Sequence, residues 1–310
     1  MNYLSLSKKP RKNANSHERS LKGPNSYDKF NKISLICQSR YLNIIRGQNV
    51  ILVLIAFVSS LPIFQNSHDE LIRCIMVILA IVFLGLMIFQ QSMQYMTGWQ
   101  KARFLAESIL SNSWLFCFKI GVYNADEKNA SATFLEYVEK TEKDVDLNEW
   151  YSIYTSSFGA IAEWMHEVFV ESDFLKKKSF YITYRLKDQL EWYTERASDN
   201  FKRASRWHIT SLVLLLAGIV LTMLIPISQF SIFGFLSTIT ATSLTWRQTR
   251  RFEELRVTYA ITAKELESLK YRFELEVEEK PIFSLIMEAE KLISREHKLW
   301  FNRSLPLPSV

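Results

Sequence analysis

Residues 71–89 read LIRCIMVILAIVFLGLMIF, an apolar run whose one charged residue, Arg73, stands near its start. The hydrocarbon core of a bilayer is about 30 Å thick and needs about 20 helical residues to cross. The run is therefore long enough to span a membrane. A second run of this kind, HITSLVLLLAGIVLTMLIPI, covers residues 208–227.

Each long run has a shorter apolar neighbour. VILVLIAFVSSLPIF, residues 50–64, precedes the first, and FSIFGFLSTITATSLTW, residues 230–246, follows the second. The run 230–246 is at the lower limit of length for a membrane span, and the run 50–64 is short. Bilayer thinning or snorkelling of Arg46 would accommodate the shorter one. A buried hairpin in a soluble protein is the alternative. Four runs in hairpin spacing favour the membrane.

The helix after each apolar pair repeats one pattern. WQKARFLAESI starts at Trp99 and YAITAKELESL starts at Tyr259, and a shift of 160 residues superposes Glu107 on Glu267. We interpret the chain as a tandem repeat of one unit. The unit is a membrane hairpin whose second helix runs on into a cytosolic helix.

Charge is distributed unevenly around these runs. The turn between the first two, residues 65–70, carries Asp69 and Glu70 and no basic residue, whereas the opposite flanks are basic. By the positive-inside rule, both termini and the middle segment are predicted to be cytoplasmic. The basic residues are Lys8, Lys9, Arg11, Lys12, Arg19, Lys22, Lys29, Lys32, Arg40, Arg46, Lys202, Arg203, Arg206, Arg247, Arg250 and Arg251.

Composition supports an all-α membrane protein, because 8 Gly and 7 Pro in 310 residues are few for a β-rich or loop-rich chain. We predict four transmembrane helices arranged as two hairpins, with long cytosolic helical extensions that form a bundle. The predicted parts are a disordered basic tail at 1–30, a first unit at 31–120 with spans 50–64 and 71–89, a cytosolic helical bridge at 121–180, a second unit at 181–304 with spans 208–227 and 230–246, and a tail at 305–310.

Three cytosolic helices carry apolar stripes at alternating spacings of three and four. Such stripes are typical of packed helices. They are interpreted as the core of one chain or as a seam between chains. The stripes are Trp99, Ala102, Ala106, Ile109, Ser113 and Phe116; Leu186, Leu190, Tyr193, Ala197, Phe201, Ala204 and His208; and Phe252, Leu255, Tyr259, Thr262, Leu266, Leu269 and Phe273.

Motifs for catalysis are lacking. The sequence has no G-x-S-x-G, no phosphate-binding glycine loop, no H-E-x-x-H and no C-x-x-C. Glu296 and His297 are neighbours, and neighbouring residues on a helix do not face each other. We expect no enzyme activity, no metal site and no cofactor. The basic tail, without interleaved aromatic residues, predicts weak attraction to anionic lipid and no direct nucleic-acid binding.

The fourth apolar run is unusually rich in hydroxyls. Small and hydroxylated residues at helical spacing allow close helix packing in a membrane. The same stripe, turned toward an oligomer axis, would line a weakly polar pore. Both interpretations stay open for Ser231, Gly234, Thr238, Thr242 and Thr245.

A polar face precedes the third run and is a candidate regulatory contact. Arginine and tryptophan offer charge, a bidentate fork and a stacking surface, which suit a phosphate-bearing or protein trigger. The alternative is that these side chains tie helices together. The face consists of Arg185, Gln189, Trp192 and Arg196.

Several of these segments resemble the SLATT domain, the SMODS and SLOG-associating two-helix membrane effector domain. YRLKDQLEWY, residues 184–193, followed by Ala197 and a membrane hairpin, is similar to the start of that domain. The closing segment 290–300, E-x-x-I-S-R-E-H-x-x-W, is similar to its end. The first unit resembles another SLATT subtype in the helix after its hairpin, at Trp99, Ala102, Arg103, Ala106, Glu107 and Trp114.

The resemblance implies an effector of a bacterial conflict or antiphage system in the inner membrane. Such an effector would form homo-oligomers and open or gate a pore when a cytosolic signal arrives. The signal would be a nucleotide second messenger, or a partner protein that synthesises or senses one. Two alternatives are a non-conducting membrane scaffold that recruits a cytosolic partner and a regulated housekeeping anion channel.

Overall fold

The computed structural model describes residues 23–61, 69–145, 147, 161–224 and 232–304, without the side chains of residues 69 and 296–304. Within these ranges the chain is helical apart from short connections, and contains no strand, as expected for an all-α protein. The helices are α1 Asn25–Ser60, α2 Asp69–Met93, α3 Tyr95–Cys117, α4 Glu127–Val145, α5 Glu163–Val170, α6 Phe174–Tyr181, α7 Lys187–Leu224, α8 Ile232–Arg250, α9 Phe252–Leu275 and α10 Glu279–Ser304.

Three helical stretches in the described part of the chain are long and apolar enough to cross a membrane. They are Asn25–Ser60, Glu70–Cys117 and Phe174–Leu224. They include the predicted span 71–89 entirely, the span 50–64 as far as residue 60 and the span 208–227 as far as residue 224. Helix α8 does not reach that apolarity, because hydroxyl side chains alternate with its apolar ones and arginines end it. The start of the predicted fourth span, the turn at 65–68 and the tails at 1–22 and 305–310 lie outside the described residues.

The sequence pattern had predicted that the second apolar helix of each pair runs on into the following helix. In the structure, one residue interrupts the helix at this point in each repeat. Gln94 separates α2 from α3 with a φ of 44°, and Arg251 separates α8 from α9 with a φ of 51°. A residue in the left-handed region ends the ladder of i to i−4 hydrogen bonds and turns the chain. Both repeats therefore place one left-handed residue between the apolar helix and the helix that follows it.

The described helices form two compact units. Unit 1 comprises residues 1–40, 95–192 and 262–310, and unit 2 comprises residues 41–94 and 193–261. Each unit takes residues from both sequence repeats. The division thus differs from the predicted boundaries at residues 120 and 180, because helices pack across the repeats as well as within them.

Unit 1 has an apolar core built from the predicted stripes. On α3, Ala102, Ala106 and Ile109 are fully buried, and on α9 Leu266 and Phe273 are fully buried. Helix α10 adds a stripe of its own at spacings of four, three and four. Its members are Ile282, Ile286, Ala289 and Ile293.

Two further segments of unit 1 are helical, one in the predicted tail and one in the predicted helical bridge. Helix α1 begins at Asn25 and buries Phe30 completely, so the predicted disordered tail 1–30 extends too far. Helix α4 occupies 127–145, within the predicted helical bridge 121–180. Its apolar side chains Ala130, Phe134 and Val138 recur every four residues and are buried.

Helices α7 and α8 pack against each other in unit 2. The hydroxyls of Ser211 on α7 and Ser243 on α8 lie 3.2 Å apart. Further along, a Cβ added to Gly218 would lie 3.5 Å from Cβ of Leu236, so the absent side chain permits a close approach. From the first contact to the second, the residue numbers rise on α7 and fall on α8, so these two helices run antiparallel.

Candidate functional site

A charged pair is buried inside unit 1. Nε and Nη2 of Arg185 donate to Oε1 and Oε2 of Glu290 at 2.9 and 2.7 Å. Arg185 is 2 % exposed and Glu290 is 3 % exposed. Parallel bonds from a guanidinium to a carboxylate are among the strongest hydrogen bonds in proteins.

The Glu290 carboxylate also accepts hydrogen bonds from two other helices. Tyr181, the last residue of α6, donates its hydroxyl to Oε1 at 3.0 Å, and Ser111 of α3 donates to Oε2 at 2.7 Å. A buried ion pair is tolerated when its remaining lone pairs are satisfied in this way. The carboxylate thus ties α10 to α3, to α6 and to the helical turn at residues 182–186 that precedes α7.

A local change of helix type lies beside this pair. Residues 182–186 form a π-helical turn between α6 and α7. Tyr181 and Arg185 are four positions apart, so their side chains lie on one side of the helix. Single π-turns inside α-helices are frequent at functional sites, and this one places a phenol and a guanidinium against a single carboxylate.

The charges of the pair are fixed by their surroundings. Burial alone would lower the pKa of Arg185, but the adjacent Glu290 carboxylate outweighs it, and the pKa is raised. Burial, together with Glu290, raises the pKa of the Tyr181 hydroxyl well above its usual value. The phenol therefore stays protonated and donates a hydrogen bond to the carboxylate.

Aromatic rings enclose the cluster. The Tyr181 ring lies 5.3 Å from Trp114 and 5.5 Å from Phe273, and Trp114 lies 4.8 Å from Trp164. These rings keep water away from the ion pair. Electrostatic interactions are strengthened where water is excluded, and the loss of one partner becomes correspondingly costly.

A second buried carboxylate belongs to the first repeat. Glu107 is 5 % exposed, and Nη2 of Arg103 lies 2.6 Å from its Oε1. Nη1 of Arg103 donates to Asn31 of α1 at 3.0 Å. In the second repeat, Ala263 takes the place of Arg103, and the equivalent Glu267 is exposed. The repeats therefore share a sequence pattern, but the equivalent glutamates lie in different surroundings, one buried and one exposed.

The four predicted regulatory residues fall into different surroundings. Arg185 is buried in its ion pair, whereas Gln189, Trp192 and Arg196 are half-buried. The first three belong to unit 1 and Arg196 to unit 2. For Arg185 the geometry matches the alternative considered above, a side chain that ties helices together. The regulatory role of the four stays a prediction.

The structure separates the hydroxyl stripe of α8 from the face that packs within the chain. Thr238, Thr242 and Thr245 donate to carbonyls of their own helix, and they are half-buried or exposed, as is Gly234. Thr240 and Ser243, one step around the helix, are buried instead. Ser231 lies outside the described residues.

Sequence reasoning had not assigned a role to Glu290, Ser111 or Tyr181. One signal was available for Glu290, because it follows the apolar Ile286 by four residues and Ala289 by one. A carboxylate next to an apolar stripe implies burial and therefore a cationic partner. Periodicity does not identify that partner.

An open groove of about 340 Å³ lies on unit 1 beside the π-helical turn. Two residues of the turn, Ile182 and Thr183, form part of its wall, and two lysines face it. A groove with this lining favours an anionic ligand over a cationic one. Its remaining walls are Leu175, Lys178, Ser179, Lys187 and Glu274.

Comparison with protein-family models gives two matches in tandem. The SMODS and SLOG-associating 2TM effector domain 3 matches residues 24–172, and domain 1 of the same series matches residues 181–300. The first match includes residues 121–172, which the sequence pattern had assigned to a separate bridge. No curated protein and no solved structure matches the chain.

SLATT domains are effector domains associated with bacterial conflict systems, and the apolar helices agree with a membrane protein. The resemblance deduced from residues 184–193, 99–114 and 290–300 is confirmed by these matches. The chain therefore belongs to the SLATT family and carries two of its domains in tandem.

Proposed function

We propose that the chain is a membrane effector whose copies associate and open a pore in the bacterial inner membrane in response to a cytosolic signal. Unit 2 would cross the membrane through four helical segments, the apolar parts of α1, α2, α7 and α8. Unit 1 would lie in the cytosol together with both termini.

The observation that carries this proposal is the exposed apolar surface of unit 2. The most apolar window of the stretch Glu70–Cys117 has 0 % of its residues buried. Ile78, Ile81, Leu216 and Met223 are each more than half exposed. Soluble monomers rarely expose contiguous apolar surface of this extent, whereas helices that satisfy their own backbone hydrogen bonds are stable in lipid.

Helix α8 is our candidate for the pore wall. Its inward face is occupied by Ser243 and Thr240, and its stripe of Gly234, Thr238 and Thr242 is left for contacts outside the chain. Hydroxyls that donate to their own helix can face either water or a neighbouring helix without an unsatisfied group. This supports either a pore lining or a contact between copies.

The trigger is proposed to act on unit 1. The groove beside the π-helical turn would accept a phosphate-bearing ligand, such as a nucleotide second messenger, or an acidic segment of a partner protein. The π-helical turn, which contains Arg185 of the buried ion pair, is the two-state element of this proposal. Catalysis is not part of this proposal, and neither a metal nor a cofactor is needed.

The pore is tested by strong induction in bacteria loaded with a membrane-potential dye. We expect wild-type protein to depolarise the cells, and the double variant Thr238→Leu, Thr242→Leu to form cross-linked oligomers that depolarise less, because apolar bulk favours dewetting of a pore. Ser237→Leu also replaces a hydroxyl by apolar bulk, but on the side of α8 that carries the exposed Phe233 and Leu244, and it serves as the control.

Other outcomes separate the alternatives. Loss of cross-linked oligomers in the double variant would assign the stripe to contacts between copies. Wild-type oligomers without depolarisation would favour the non-conducting scaffold. Normal assembly and normal depolarisation in the double variant would remove α8 from the proposal.

The topology is tested by reporter fusions after residue 310 and within residues 65–70. We expect cytoplasmic activity at the C-terminus and periplasmic activity in the turn, because basic residues flank the cytoplasmic ends of spans. Periplasmic activity at residue 310 would contradict the four-span arrangement.

A further inference from the structure

One end of the apolar helices of unit 2 carries a cluster of arginines around Trp246. The guanidinium carbon of Arg46 on α1 lies 5.3 Å from the centre of the Trp246 ring, and that of Arg250 lies 5.9 Å from it. Both distances are within the range of attraction between a cation and an aromatic ring. The positive charges of Arg46 and Arg250 thus both lie next to the Trp246 ring.

Arg247 is the least satisfied member of the cluster. Its Nη1 lies 3.4 Å from Nδ1 of His208, and its Nη2 lies 3.5 Å from Oε1 of Glu253. Its Nε is buried and has no hydrogen-bond partner among the described residues. A buried donor without an acceptor is costly, so an acceptor at this position would be stabilising.

The acidic residues of this region do not balance the arginines. Glu253 is shared between Arg247 and Arg256, whose Nη2 lies 3.4 Å from the carboxylate. Glu254 is paired with Arg251. Arg46 donates to the neutral Asn43 at 2.9 Å. Residues 43–50 and 246–256 together carry five arginines and two carboxylates. Positive charge is therefore in excess around Trp246.

The cluster stands where apolar runs begin or end. Arg46 precedes the run 50–64, His208 opens the run 208–227, and Trp246 closes the run 230–246. Tryptophan and arginine at such boundaries contact the headgroup region of a bilayer. A ligand at this position would meet both an anion-binding site and an apolar surface.

We propose that Arg46, Arg247 and Arg250 form, around Trp246, a binding site for the phosphate of an anionic phospholipid in the cytoplasmic leaflet. This inference rests on the proposed membrane arrangement. The phosphate oxygens accept hydrogen bonds from the unpartnered Nε of Arg247 and from the guanidinium groups of the other two arginines. The acyl chains lie along the exposed apolar helices.

The site is tested with purified full-length protein in nanodiscs. The retained lipid is measured by native mass spectrometry in discs that contain phosphatidylglycerol in phosphatidylcholine. We expect Arg247→Gln, Arg250→Gln to weaken phosphatidylglycerol retention by about tenfold or more, since each charged hydrogen bond contributes about that factor. The control Lys202→Gln, Arg206→Gln removes the same charge from exposed positions of α7 before the third run.

A second variant separates geometry from charge. Arg247→Lys, Arg250→Lys keeps both charges but removes the planar fork and the Nε donor. It should also lose retention, although less than the glutamine variant. Equal losses in the glutamine variant and in the α7 control would overturn the proposal, because diffuse attraction near the surface would then suffice. Full retention in the lysine variant would overturn it as well.

Two further measurements distinguish failure of the proposed lipid site from failure of the proposed membrane arrangement. Pyrophosphate could stabilise the protein against thermal unfolding in neutral nanodiscs while the protein shows no preference for phosphatidylglycerol. That result would mean that the cluster binds a soluble phosphate, and it would reject the lipid site. Extraction of the wild-type protein from bacterial membranes by alkaline carbonate would reject the membrane arrangement itself. A well-integrated protein without lipid preference would reject the lipid site alone.

Discussion

Arg185 and Glu290 form the interaction on which unit 1 depends most at the residue scale. Both side chains are almost fully buried, and the carboxylate joins three further helical segments. We expect Arg185→Gln to lower the free energy of unfolding of unit 1 by about 3–5 kcal/mol, because it leaves a buried carboxylate unpaired. Thermal unfolding in detergent, followed by tryptophan fluorescence, measures the change, since Trp114 and Trp164 pack beside the cluster.

Two controls define this effect. Arg272→Gln breaks a pair with Glu288 in which both side chains are about half exposed, and it should cost less than about 1 kcal/mol. The double variant Arg185→Met, Glu290→Leu should recover part of the loss, because removal of both charges leaves only Ser111 and Tyr181 without a partner. A loss in Arg185→Gln as small as in Arg272→Gln would contradict a structural role for the pair.

This geometry also changes how the predicted regulatory face can be probed. Removal of Arg185 disrupts the core, so a lost response in such a variant would not distinguish signalling from folding. The sequence identified Arg185 as important because of its residue type and its place beside Trp192. It did not identify Glu290 as its partner, because the two residues lie on helices whose packing no local pattern encodes.

The left-handed residues between helices are the distinctive feature at the element scale. A non-glycine residue in this conformation costs about 1–2 kcal/mol relative to glycine, and Gln94 holds it with a φ of 44°. We expect Gln94→Gly to raise the melting temperature and Gln94→Ile to lower it, in a thermal unfolding experiment in detergent. Gln91→Gly, three residues earlier in the exposed last turn of α2, should instead lower it by removing helix propensity.

If Gln94→Gly and Gln91→Gly shifted the melting temperature in the same direction, the break at Gln94 would not exist in the protein. The sequence could not predict this break, because neither Gln94 nor Arg251 is a glycine and no proline follows either. Long apolar runs and stripes such as Ala102, Ala106 and Ile109 were predicted correctly, since burial repeats with the helical period. Helix α4 falls within the predicted helical bridge, but its bounds were not predicted because its polar residues outnumber its few buried ones.

The two domains are interlocked at the scale of the whole molecule. Ser111 belongs to the first SLATT match and Glu290 to the second, and both contribute to the core of unit 1. The linear repeat predicts two equal halves, yet each compact unit draws on both. Divergence between the repeats, as at Glu107 and Glu267, is the expected consequence when equivalent helices occupy different positions in one core.

This interlocking predicts that neither half is stable alone. A chain of residues 1–172 and a chain of residues 173–310, expressed separately in bacteria, should be degraded or aggregate, because each exposes the apolar face that α3 and α10 bury together. Expressed together, they should co-purify through a tag on one half. Ser111→Leu should reduce this recovery, because it adds bulk beside Glu290 and removes a donor, whereas Glu136→Leu on the exposed side of α4 should not. Two halves that are each soluble, protease-resistant and unable to associate would refute the shared core.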